Sequence, residues 1–429
     1  MHQKLLNSLL EKTFYKNWKV NNDSNSSCPS IEFIVNGKCN QKCKYCYISN
    51  FGDKLFPVGS EDNKKIIDNT ILLMKWLKKN NFKPKIEVFS AEIFSQKIGF
   101  QLLDLINELG WEGMSVVIPS NFNFLFSDKK ILKVYDLKKK FSDSKQNLHL
   151  SCSIDGKFVD SNRPLISSKI RDDNYYEKMF STYEVLRHGF HPMVYSEGIE
   201  HWIKNFLWFQ DNFVKYNIPY HRLYMLEVRN KEWNEEQCIQ FGKFMEFLVE
   251  WLRDFINDDD KLIKVLLRAD ESFNLLSSPI IHIPRGMPCS IQSTFMVRLG
   301  DLAVVPCHRT MYPQFKLAEM EVCDNEIIGT KVINYPLYLA TKFALTTNFP
   351  YCVNCAIKYF CLGGCYGAQY EVTGDLFTPI PTMCRMEHAK IFSYFKTLKY
   401  KTNIWSKLKS KLMDEKISAL HNLEKQGMI

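Results

Sequence analysis

Three cysteines crowd the stretch GKCNQKCKYCYI, which directly follows the apolar run IEFIV. Cys39, Cys43 and Cys46 are separated by three and then by two residues. Thiolates at such short spacings bind zinc or iron–sulfur clusters. Because three thiolates do not complete a four-ligand shell, either a fourth ligand comes from elsewhere in the chain or one coordination position is left open for chemistry. The stretch therefore predicts a metal or cluster site, with a structural zinc loop as the alternative.

A second, denser set of cysteines lies toward the C-terminus. The stretch CVNCAIKYFCLGGC has the spacing C-x2-C-x5-C-x3-C; two cysteines of the set precede it and one follows it. The members of the set are Cys289, Cys307, Cys352, Cys355, Cys361, Cys365 and Cys384. These spacings predict a second metal-binding region, for which a zinc ribbon is the alternative to iron–sulfur clusters.

The composition indicates the class of protein and its cellular compartment. Its 429 residues are 45% hydrophobic and 24% charged, which is typical of a soluble globular protein with more than one domain. No secretory signal or membrane-spanning apolar run is visible, so the 14 cysteines indicate metal or redox ligation in the cytoplasm rather than disulfides. The net charge of +9 is spread along the chain, and its richest segment is a lysine-rich tail at residues 391–429. For this tail a solvated amphipathic helix is favoured over a nucleic-acid or membrane surface.

Short β-branched runs alternate with longer amphipathic runs from Ile31 to Phe255. Six strands are predicted at 31–35, 85–90, 115–119, 148–154, 191–196 and 222–228. Helices are predicted at 61–80 with Ser60 as the cap, and at 96–109, 128–140, 175–188, 199–216 and 234–255. Strand–helix units in series imply an α/β fold with a parallel sheet, here a partial (β/α)6 TIM-like barrel. Ligands of such sheets bind at the C-terminal ends of the strands, where the first cysteine stretch lies.

The acidic stretch NDDDK and the loop-like stretch SSPIIHIPRGMP indicate a domain boundary, beyond which short strands and turns replace the helical pattern. The expected parts are a lead-in at 1–30, the partial barrel at 31–256, a linker at 257–288, a cysteine-rich extension at 289–390 and a basic helix at 391–429.

The first cysteine stretch resembles that of the radical S-adenosylmethionine enzymes: C-x3-C-x2-C after a strand, with the aromatic Tyr45 before the last cysteine. The resemblance implies that Cys39, Cys43 and Cys46 hold three irons of a [4Fe-4S] cluster, whose fourth iron binds S-adenosylmethionine. It also implies reductive cleavage of S-adenosylmethionine to a 5′-deoxyadenosyl radical, and a reducing partner such as a flavodoxin or ferredoxin. The cofactor carries the difficult chemistry, and the barrel orients it.

Three further strand ends match the family's cofactor-binding positions. FSAEIF stands where the family has a Gly-Gly-Glu-Pro turn, PSNFN where relatives have a Thr-Asn turn, and SCSIDG with the following NRP is similar to the family's fourth strand. The residues that the resemblance assigns to the cofactor are Tyr45, Ser90, Ala91, Glu92, Asn121, Ser153 and Asp155. Taken singly, a polar residue at a strand end is ordinarily a turn or a helix cap.

The second set resembles the SPASM extension of radical enzymes that modify peptides and proteins. The resemblance implies two auxiliary [4Fe-4S] clusters, the first on Cys289, Cys307 and Cys365 and the second on Cys352, Cys355, Cys361 and Cys384. The first cluster then lacks a fourth cysteine; it has either an open iron or a non-adjacent ligand, for which Cys323 is a candidate. Cys152 and Cys238 are predicted to be buried apolar residues, and Cys28 has no assigned role.

The extension narrows the expected function to peptidyl substrates. One interpretation is crosslinking or epimerisation of a ribosomally synthesised precursor peptide; the alternative is formylglycine formation in a sulfatase. Sulfatase-maturing enzymes usually have an aspartate after the second extension cysteine, where PCHRTMY has His308, and this favours the precursor peptide. A third hypothesis is an iron–sulfur electron-transfer or scaffold protein without catalysis.

Residues near the substrate are predicted in the same stretch. His308 is a candidate proton acceptor, Arg309 could bind a carboxylate, and Tyr312 lies beside them, with turn capping as the alternative. Glu227, Arg229 and Asn230 end the sixth strand at the barrel rim and are further candidates near the substrate, with a salt-bridged rim as the alternative. Because only about 30 residues precede the first strand, leader-peptide recognition is expected from a separate protein or another surface, such as a sheet edge.

Overall fold

The computed structural model describes residues 30–57, 61–266, 294–343, 349–361, 363–400, 402–412 and 414–429, together with Lys4, Ser8, Gly59 and Ile291. The predictions for Cys28, Ser60, Cys289 and the loop 277–288 lie outside the described residues. The chain divides into two compact units. The first unit comprises Met1–Ser153, Arg163–Gly189 and Cys289–Phe343; the second comprises Ile154–Asn162, Phe190–Pro288 and Ala344–Ile429.

The first unit is built on a parallel sheet. Its first strands are β1 (Ser30–Ile34), β2 (Lys85–Phe89), β3 (Ser115–Ser120) and β4 (Asn147–Cys152). The two-residue β5 (Gly189–Phe190) follows, and its first residue ends the second segment of this unit. β1 to β4 pair in parallel and in chain order. The apolar runs form strands because a parallel sheet buries both of its faces, and Ile31, Phe33 and Ile34 of β1 are fully buried.

Helices connect these strands as expected for parallel pairing. They are α1 (Tyr47–Leu55), α2 (Asn63–Lys79), α3 (Lys97–Leu109), α4 (Asp128–Asp143), α5 (Asp173–Ser181) and α6 (Tyr183–Leu186). Asp62 caps α2, because its side chain accepts from the Lys65 amide. The single helix predicted at 175–188 was wrong: it is interrupted at Thr182 and ends at Leu186, after which Arg187 takes a left-handed φ of 51°.

The second unit begins with short strands and long helices. Its elements before the undescribed stretch are β6 (Met193–Val194), α7 (Trp202–Lys215), β7 (Leu226–Glu227), α8 (Glu235–Ile256) and α9 (Asp259–Leu266). β6 and β7 pair in parallel in a separate two-stranded sheet, each shorter than predicted. α8 begins at a capping box in which Asn234 and Gln237 exchange side-chain and backbone hydrogen bonds.

The chain then returns to the first sheet. β8 (Phe295–Arg298) pairs in parallel with β1, and β9 (Ala303–Val305), β10 (Ala318–Cys323) and β11 (Glu326–Val332) follow as antiparallel neighbours, before α10 (Tyr335–Phe343). β8 fits beside β1 because all four of its side chains are buried. The sheet order is therefore β11-β10-β9-β8-β1-β2-β3-β4-β5.

The C-terminal part of the second unit is helical. It contains α11 (Tyr366–Thr373), α12 (Pro381–Lys399), α13 (Thr402–Lys409) and α14 (Asp414–Lys425). α12 packs along α8, where Ser393 and Ala389 of α12 face Gly242 of α8. The basic tail is thus two further helices rather than one. Among the described helices, none has the length and apolarity needed to cross a membrane.

Candidate functional site

The first cysteine loop leaves β1 through a tight turn. The Gly37 amide donates to Glu61 Oε1 at 2.8 Å, and a Cβ at Gly37 would lie 3.0 Å from the Phe56 ring, so a side chain here would force that ring to move. Farther along, the Lys42 amide donates to the Pro164 carbonyl at 3.0 Å. The segment containing NRP therefore holds the loop from one side, a role that its sequence did not reveal.

The three thiols of this loop lie close enough to interact. Burial raises the pKa of the Cys39 thiol to about 12, and the nearby Glu92, Cys43 and Cys46 add to that rise. The Cys46 amide donates to the Cys43 carbonyl at 3.0 Å in the turn that leads into α1. A buried thiol of this kind loses its proton when a metal replaces it, so the triad has the chemistry of a ligand set.

A network of side-chain amides joins this loop to the end of β2. Asn36 Nδ2 donates to Gln96 Oε1 at 2.8 Å, and Gln96 Nε2 lies 3.0 Å from Asn36 Oδ1 and 3.0 Å from the Glu92 carbonyl. The Ser90 hydroxyl lies 3.1 Å from Asn36 Oδ1, and the Ala91 amide donates to the Asn36 carbonyl at 3.1 Å. Ser90 and Ala91 are therefore fixed against the cysteine loop, and sequence reasoning missed Asn36 and Gln96.

A second amide network joins the loop to the end of β3. Asn121 Nδ2 donates to Asn40 Oδ1 at 2.8 Å and lies 3.8 Å from Cys39 Sγ. Asn123 Nδ2 donates to the same Asn40 oxygen at 3.2 Å, and Gln41 Nε2 donates to Asn123 Oδ1 at 3.4 Å. Asn121 thus lies beside Cys39 and adds no charge there.

Glu92 links the ends of β2 and β3 rather than pointing to open space. One carboxylate oxygen accepts from the backbone N–H of Asn121 at 2.6 Å. The other accepts from the Ser120 hydroxyl at 2.9 Å and from the backbone N–H of Phe94 at 3.1 Å. The side chain is almost fully buried. Burial raises the pKa of Glu92 to about 7, although these hydrogen bonds and Lys130 act in the opposite direction.

The remaining predicted cofactor residues are divided between the units. Tyr45 lies in the first unit with its ring 5.3 Å from the Arg163 guanidinium, and the Ser153 amide donates to the Ser120 carbonyl at 2.7 Å. Asp155 lies in the second unit, where it is fully buried and accepts from the Met193 amide at 2.9 Å. The Asp155 carboxylate therefore anchors the start of β6.

His308 lies in a compact aromatic and charged cluster of the first unit. Its Nδ1 lies 3.1 Å from Glu32 Oε1, and its ring stacks on Phe89 at 4.4 Å with an interplanar angle of 7°. The Arg309 guanidinium lies 4.8 Å from the centre of the Tyr47 ring, which is 6.0 Å from His308. The structure thus brings His308 and Arg309 together, and adds Glu32, Phe89 and Tyr47, which the sequence reasoning missed.

The backbone around Cys307 supports that cysteine as a ligand. The Arg309 amide donates to Cys307 Sγ at 3.4 Å, and the Thr310 amide donates to the Cys307 carbonyl at 2.9 Å. An N–H directed at sulfur is a common feature of cluster thiolates. Tyr312 follows shortly after Cys307 in the sequence and is buried. Its carbonyl accepts from the Phe315 amide, and its ring packs edge-on against the Phe315 ring.

The five cysteines of the C-terminal set from Cys352 onward belong to the second unit. Burial raises the pKa of Cys384 to about 11, and the nearby Cys352 and Cys355 add to that rise. Cys355 Sγ also lies 3.5 Å from His388 Nε2, a neighbour that the spacing did not reveal. Cys323, by contrast, is exposed in the first unit at the end of β10.

Three buried charged side chains and one that is 17% exposed, Arg229, lie beside Cys361 and Cys365. Lys390 Nζ is 2.9 Å from Glu227 Oε1 and 2.8 Å from Glu387 Oε2, while Arg229 Nη2 is 3.5 Å from a carboxylate oxygen of each glutamate. We call these four side chains the charge ring. Arg229 Nη1 also donates to the Gly364 carbonyl at 3.3 Å. Of the two interpretations of the sixth-strand residues, the salt-bridged one therefore describes Glu227 and Arg229.

The donor sets can be tested against the groups that the motifs imply. Thiols gathered in one loop or around one helix, with N–H groups directed at sulfur, suit iron–sulfur clusters. Across the described ranges, no three His, Cys, Asp or Glu side chains stand close enough to hold a single ion. The thiolates of one four-iron cluster bind different irons and therefore stand farther apart than the ligands of one ion. By its chemistry, the donor set fits clusters.

Comparison with known proteins gives structural neighbours only. No protein-family model and no curated protein matches the sequence. The solved structure of anSMEcpe with bound AdoMet aligns with a TM-score of 0.51 and 15% identity, covering 87% of this chain and 98% of that one. SuiB of Streptococcus suis bound to its precursor peptide SuiA aligns with a TM-score of 0.52 and 13% identity, covering 88% of this chain and 78% of that one.

These likenesses concern the fold, since the identities are low. The α/β fold class expected from the sequence, with a large sheet that includes parallel strands and a cysteine-rich C-terminal region, is confirmed. The chain therefore shares its fold with the AdoMet-bound and the peptide-bound protein, which confirms at the level of the fold the resemblance inferred from its cysteine motifs.

Proposed function

We propose that this chain is a radical S-adenosylmethionine enzyme that modifies a ribosomally synthesised precursor peptide. The observation that carries the proposal is the loop in which Cys39, Cys43 and Cys46 come together at the C-terminal end of β1, held by amides from the ends of β2 and β3. The fold shared with AdoMet-bound anSMEcpe supports the cofactor, and the fold shared with peptide-bound SuiB supports the substrate class.

The chain's own residues divide the work around the cofactor. When bound, the cluster and S-adenosylmethionine supply a 5′-deoxyadenosyl radical, the chemistry that the resemblance implies. The three cysteines of the loop would hold the cluster. S-adenosylmethionine would contact the turn at Ser90 and Ala91 and the side-chain amide of Asn121. Glu92 fixes that turn against the end of β3. Tyr45, Ser153 and Asp155 complete the proposed cofactor residues.

The C-terminal cysteines would hold two auxiliary clusters. The proposed ligands are Cys307 and Cys365 with Cys289, which lies outside the described residues, and Cys352, Cys355, Cys361 and Cys384. Three four-iron clusters require about twelve iron and twelve sulfide per chain, measurable in anaerobically purified protein. Zinc at the C-terminal cysteines in place of iron would contradict this part of the proposal.

His308 and Arg309 would act on the substrate. A substrate that is oxidised by two electrons loses a proton, and His308 would accept it at the ring nitrogen that does not face Glu32. Arg309 would bind a substrate carboxylate through its two parallel N–H groups. Tyr312 is buried, and its role would be to shape the turn that carries His308 and Arg309.

The substrate class is tested with two peptides and one reductant. With S-adenosylmethionine and dithionite under anaerobic conditions, a precursor encoded beside this chain should change, losing two hydrogens for a crosslink or keeping its mass for an epimerisation. A sulfatase-derived peptide containing the target cysteine or serine should stay unoxidised. Formylglycine in that peptide would establish the alternative substrate class instead. Absence of 5′-deoxyadenosine with either peptide would reduce the chain to an electron carrier or scaffold.

A further inference from the structure

Glu32 is a carboxylate in the middle of a buried strand. It lies on β1 at 4% exposure, between Ile31 and Phe33, which are fully buried. A carboxylate removed from water is costly unless a partner compensates it. Among the described residues its hydrogen-bond partner is His308, whose Nδ1 lies 3.1 Å from Oε1 and 3.3 Å from Oε2. The strand therefore carries an unfavourable residue whose compensation comes from a single side chain.

The His308 ring is held on its face as well as at its edge. It stacks on Phe89 at 4.4 Å and nearly parallel, and Phe89 is the last residue of β2, the strand paired with β1. The stacking fixes the plane of the ring, and Glu32 fixes its rotation within that plane. His308 is nevertheless 31% exposed, so part of the ring is open to solvent and to a substrate.

We propose that Glu32 is a positioning residue for His308, which orients the imidazole and sets which of its nitrogens carries the proton. When Glu32 is ionised it only accepts hydrogen bonds, so the Nδ1 of His308 donates to it. In the neutral imidazole this leaves the lone pair on Nε2. Nε2 has no hydrogen-bond partner in the described part of the chain. The arrangement presents Nε2 as the acceptor, and a hydrogen bond at one imidazole nitrogen sets the state of the other.

This inference rests on the proposed function in one respect, because it gives His308 a purpose only if His308 accepts a proton from the substrate. The structural alternative is that Glu32 and His308 merely compensate each other inside the protein. The two differ in what happens when the carboxylate is replaced by an apolar group of similar size. The partner left behind is His308, which is 31% exposed and can be hydrated, so the fold should tolerate this replacement. The replacement nevertheless removes the acceptor that holds the proton on Nδ1.

The test uses Glu32→Leu, which removes the acceptor, and Glu32→Gln, whose amide oxygen can still accept from Nδ1. The matched control is Glu87→Leu. Glu87 lies opposite Glu32 in the pairing of β1 with β2, but it is partly exposed and pairs with Lys85 at 2.9 Å. All variants are full-length proteins purified anaerobically, and their thermal unfolding is compared first.

The first measurement needs no substrate. Diethylpyrocarbonate reacts with an imidazole nitrogen that has a free lone pair, and mass spectrometry of the peptide containing His308 gives the rate of labelling. We expect Glu32→Leu to lower this rate severalfold, Glu32→Gln to restore most of it, and Glu87→Leu to match the unchanged protein. An unchanged or faster rate in Glu32→Leu would overturn the positioning role.

The second measurement separates this inference from the proposed function. With the precursor encoded beside the chain, product formed per S-adenosylmethionine cleaved should fall in Glu32→Leu and recover in Glu32→Gln. If labelling falls while this ratio stays at its original value, Glu32 does position His308, and the assignment of His308 as proton acceptor is wrong. If both stay unchanged, the pair is structural only.

Discussion

The two cysteine-rich regions are braced by different kinds of side chain. Around Cys39 the bracing groups are amides, chiefly Asn36, Gln96 and Asn121, which form hydrogen bonds without adding charge. Beside Cys361 the bracing groups are the charge ring, with two carboxylates and two cations. Burial raises the pKa of Cys361 and Glu387 adds to the rise, whereas Lys390 and Arg229 oppose it.

The two regions depend on their partners in different ways. An amide network loses only neutral hydrogen bonds when a member is removed, and water or a neighbour can replace them. A buried charge ring loses its neutrality when one charge is removed, and nothing nearby replaces that charge. Substitutions in the amide-braced loop should therefore affect the proposed chemistry strongly and the free energy of unfolding moderately. Substitutions in the charge ring should affect the free energy of unfolding more than the chemistry.

The largest expected effect is chemical and belongs to the amide-braced loop. Changing Cys39, Cys43 and Cys46 together to alanine should abolish 5′-deoxyadenosine formation and leave the iron–sulfur absorption of the C-terminal cysteines, because the loop holds the cluster that binds S-adenosylmethionine in the proposed function. Chromatographic analysis of S-adenosylmethionine cleavage measures the loss. Cys238→Ala is the matched control, since Cys238 is buried on α8 away from either cysteine set in the sequence. Continued cleavage by the triple variant would place the cofactor elsewhere.

The charge ring should show the largest effect on stability. Lys390→Met leaves Glu227 and Glu387 with only Arg229, and breaking a buried ion pair costs about 3–5 kcal/mol. Urea unfolding monitored by circular dichroism measures the free energy of unfolding. Lys390→Met combined with Glu227→Gln should lose less than the single variant, because the charges balance again. A loss below about 1 kcal/mol in the single variant would mean that the ring is hydrated rather than buried.

Glu92 should make the amide-braced region pH-dependent. Its pKa in the folded protein is raised from 4.5 to about 7, first of all by burial. The folded state therefore holds this proton more tightly than the unfolded state, so the contribution of Glu92 to stability is fully present below pH 4.5 and is lost as the pH rises through about 7. The shift corresponds to about 3 kcal/mol at about 1.4 kcal/mol for each pH unit.

The charged or titratable neighbours that act on Glu92 are Lys130, Cys39 and Cys152. The measurement is the free energy of unfolding at several pH values in the unchanged protein and in Glu92→Gln. The decline between pH 4.5 and 7 should be smaller in Glu92→Gln by about the amount assigned to Glu92. Equal declines in the two proteins would show that Glu92 titrates normally.

The smallest expected effect completes the comparison. Gln96→Ala removes the amide that contacts Asn36 and the Glu92 carbonyl, and unmade hydrogen bonds of buried groups cost about 1–3 kcal/mol. The same urea unfolding experiment should therefore give a smaller loss for Gln96→Ala than for Lys390→Met. A loss as large as that of the charge-ring variant would remove the distinction between neutral and charged bracing.

Local sequence patterns predicted much of the first unit. The strands at β1 to β4 were found within a few residues, because apolar β-branched runs between amphipathic segments have a period that can be read along the chain. The prediction of one helix at 175–188 was wrong, although the sequence pattern is amphipathic throughout. The helix is interrupted at Thr182, and the left-handed Arg187 follows its last residue. Backbone breaks of this kind depend on what the helix packs against.

The cysteine spacings, the strands that precede them and the polar residues at the strand ends could all be predicted from the amino-acid sequence. Those features are local, since ligands of one loop and residues of one strand are close along the chain. The return of β8 to β1, the charge ring and the pairing of Glu32 with His308 became visible in the folded structure alone; Glu32 and His308 are 276 residues apart. A charged residue inside IEFIV was visible in the sequence, but its partner depends on how distant strands are brought together, and no local pattern encodes that.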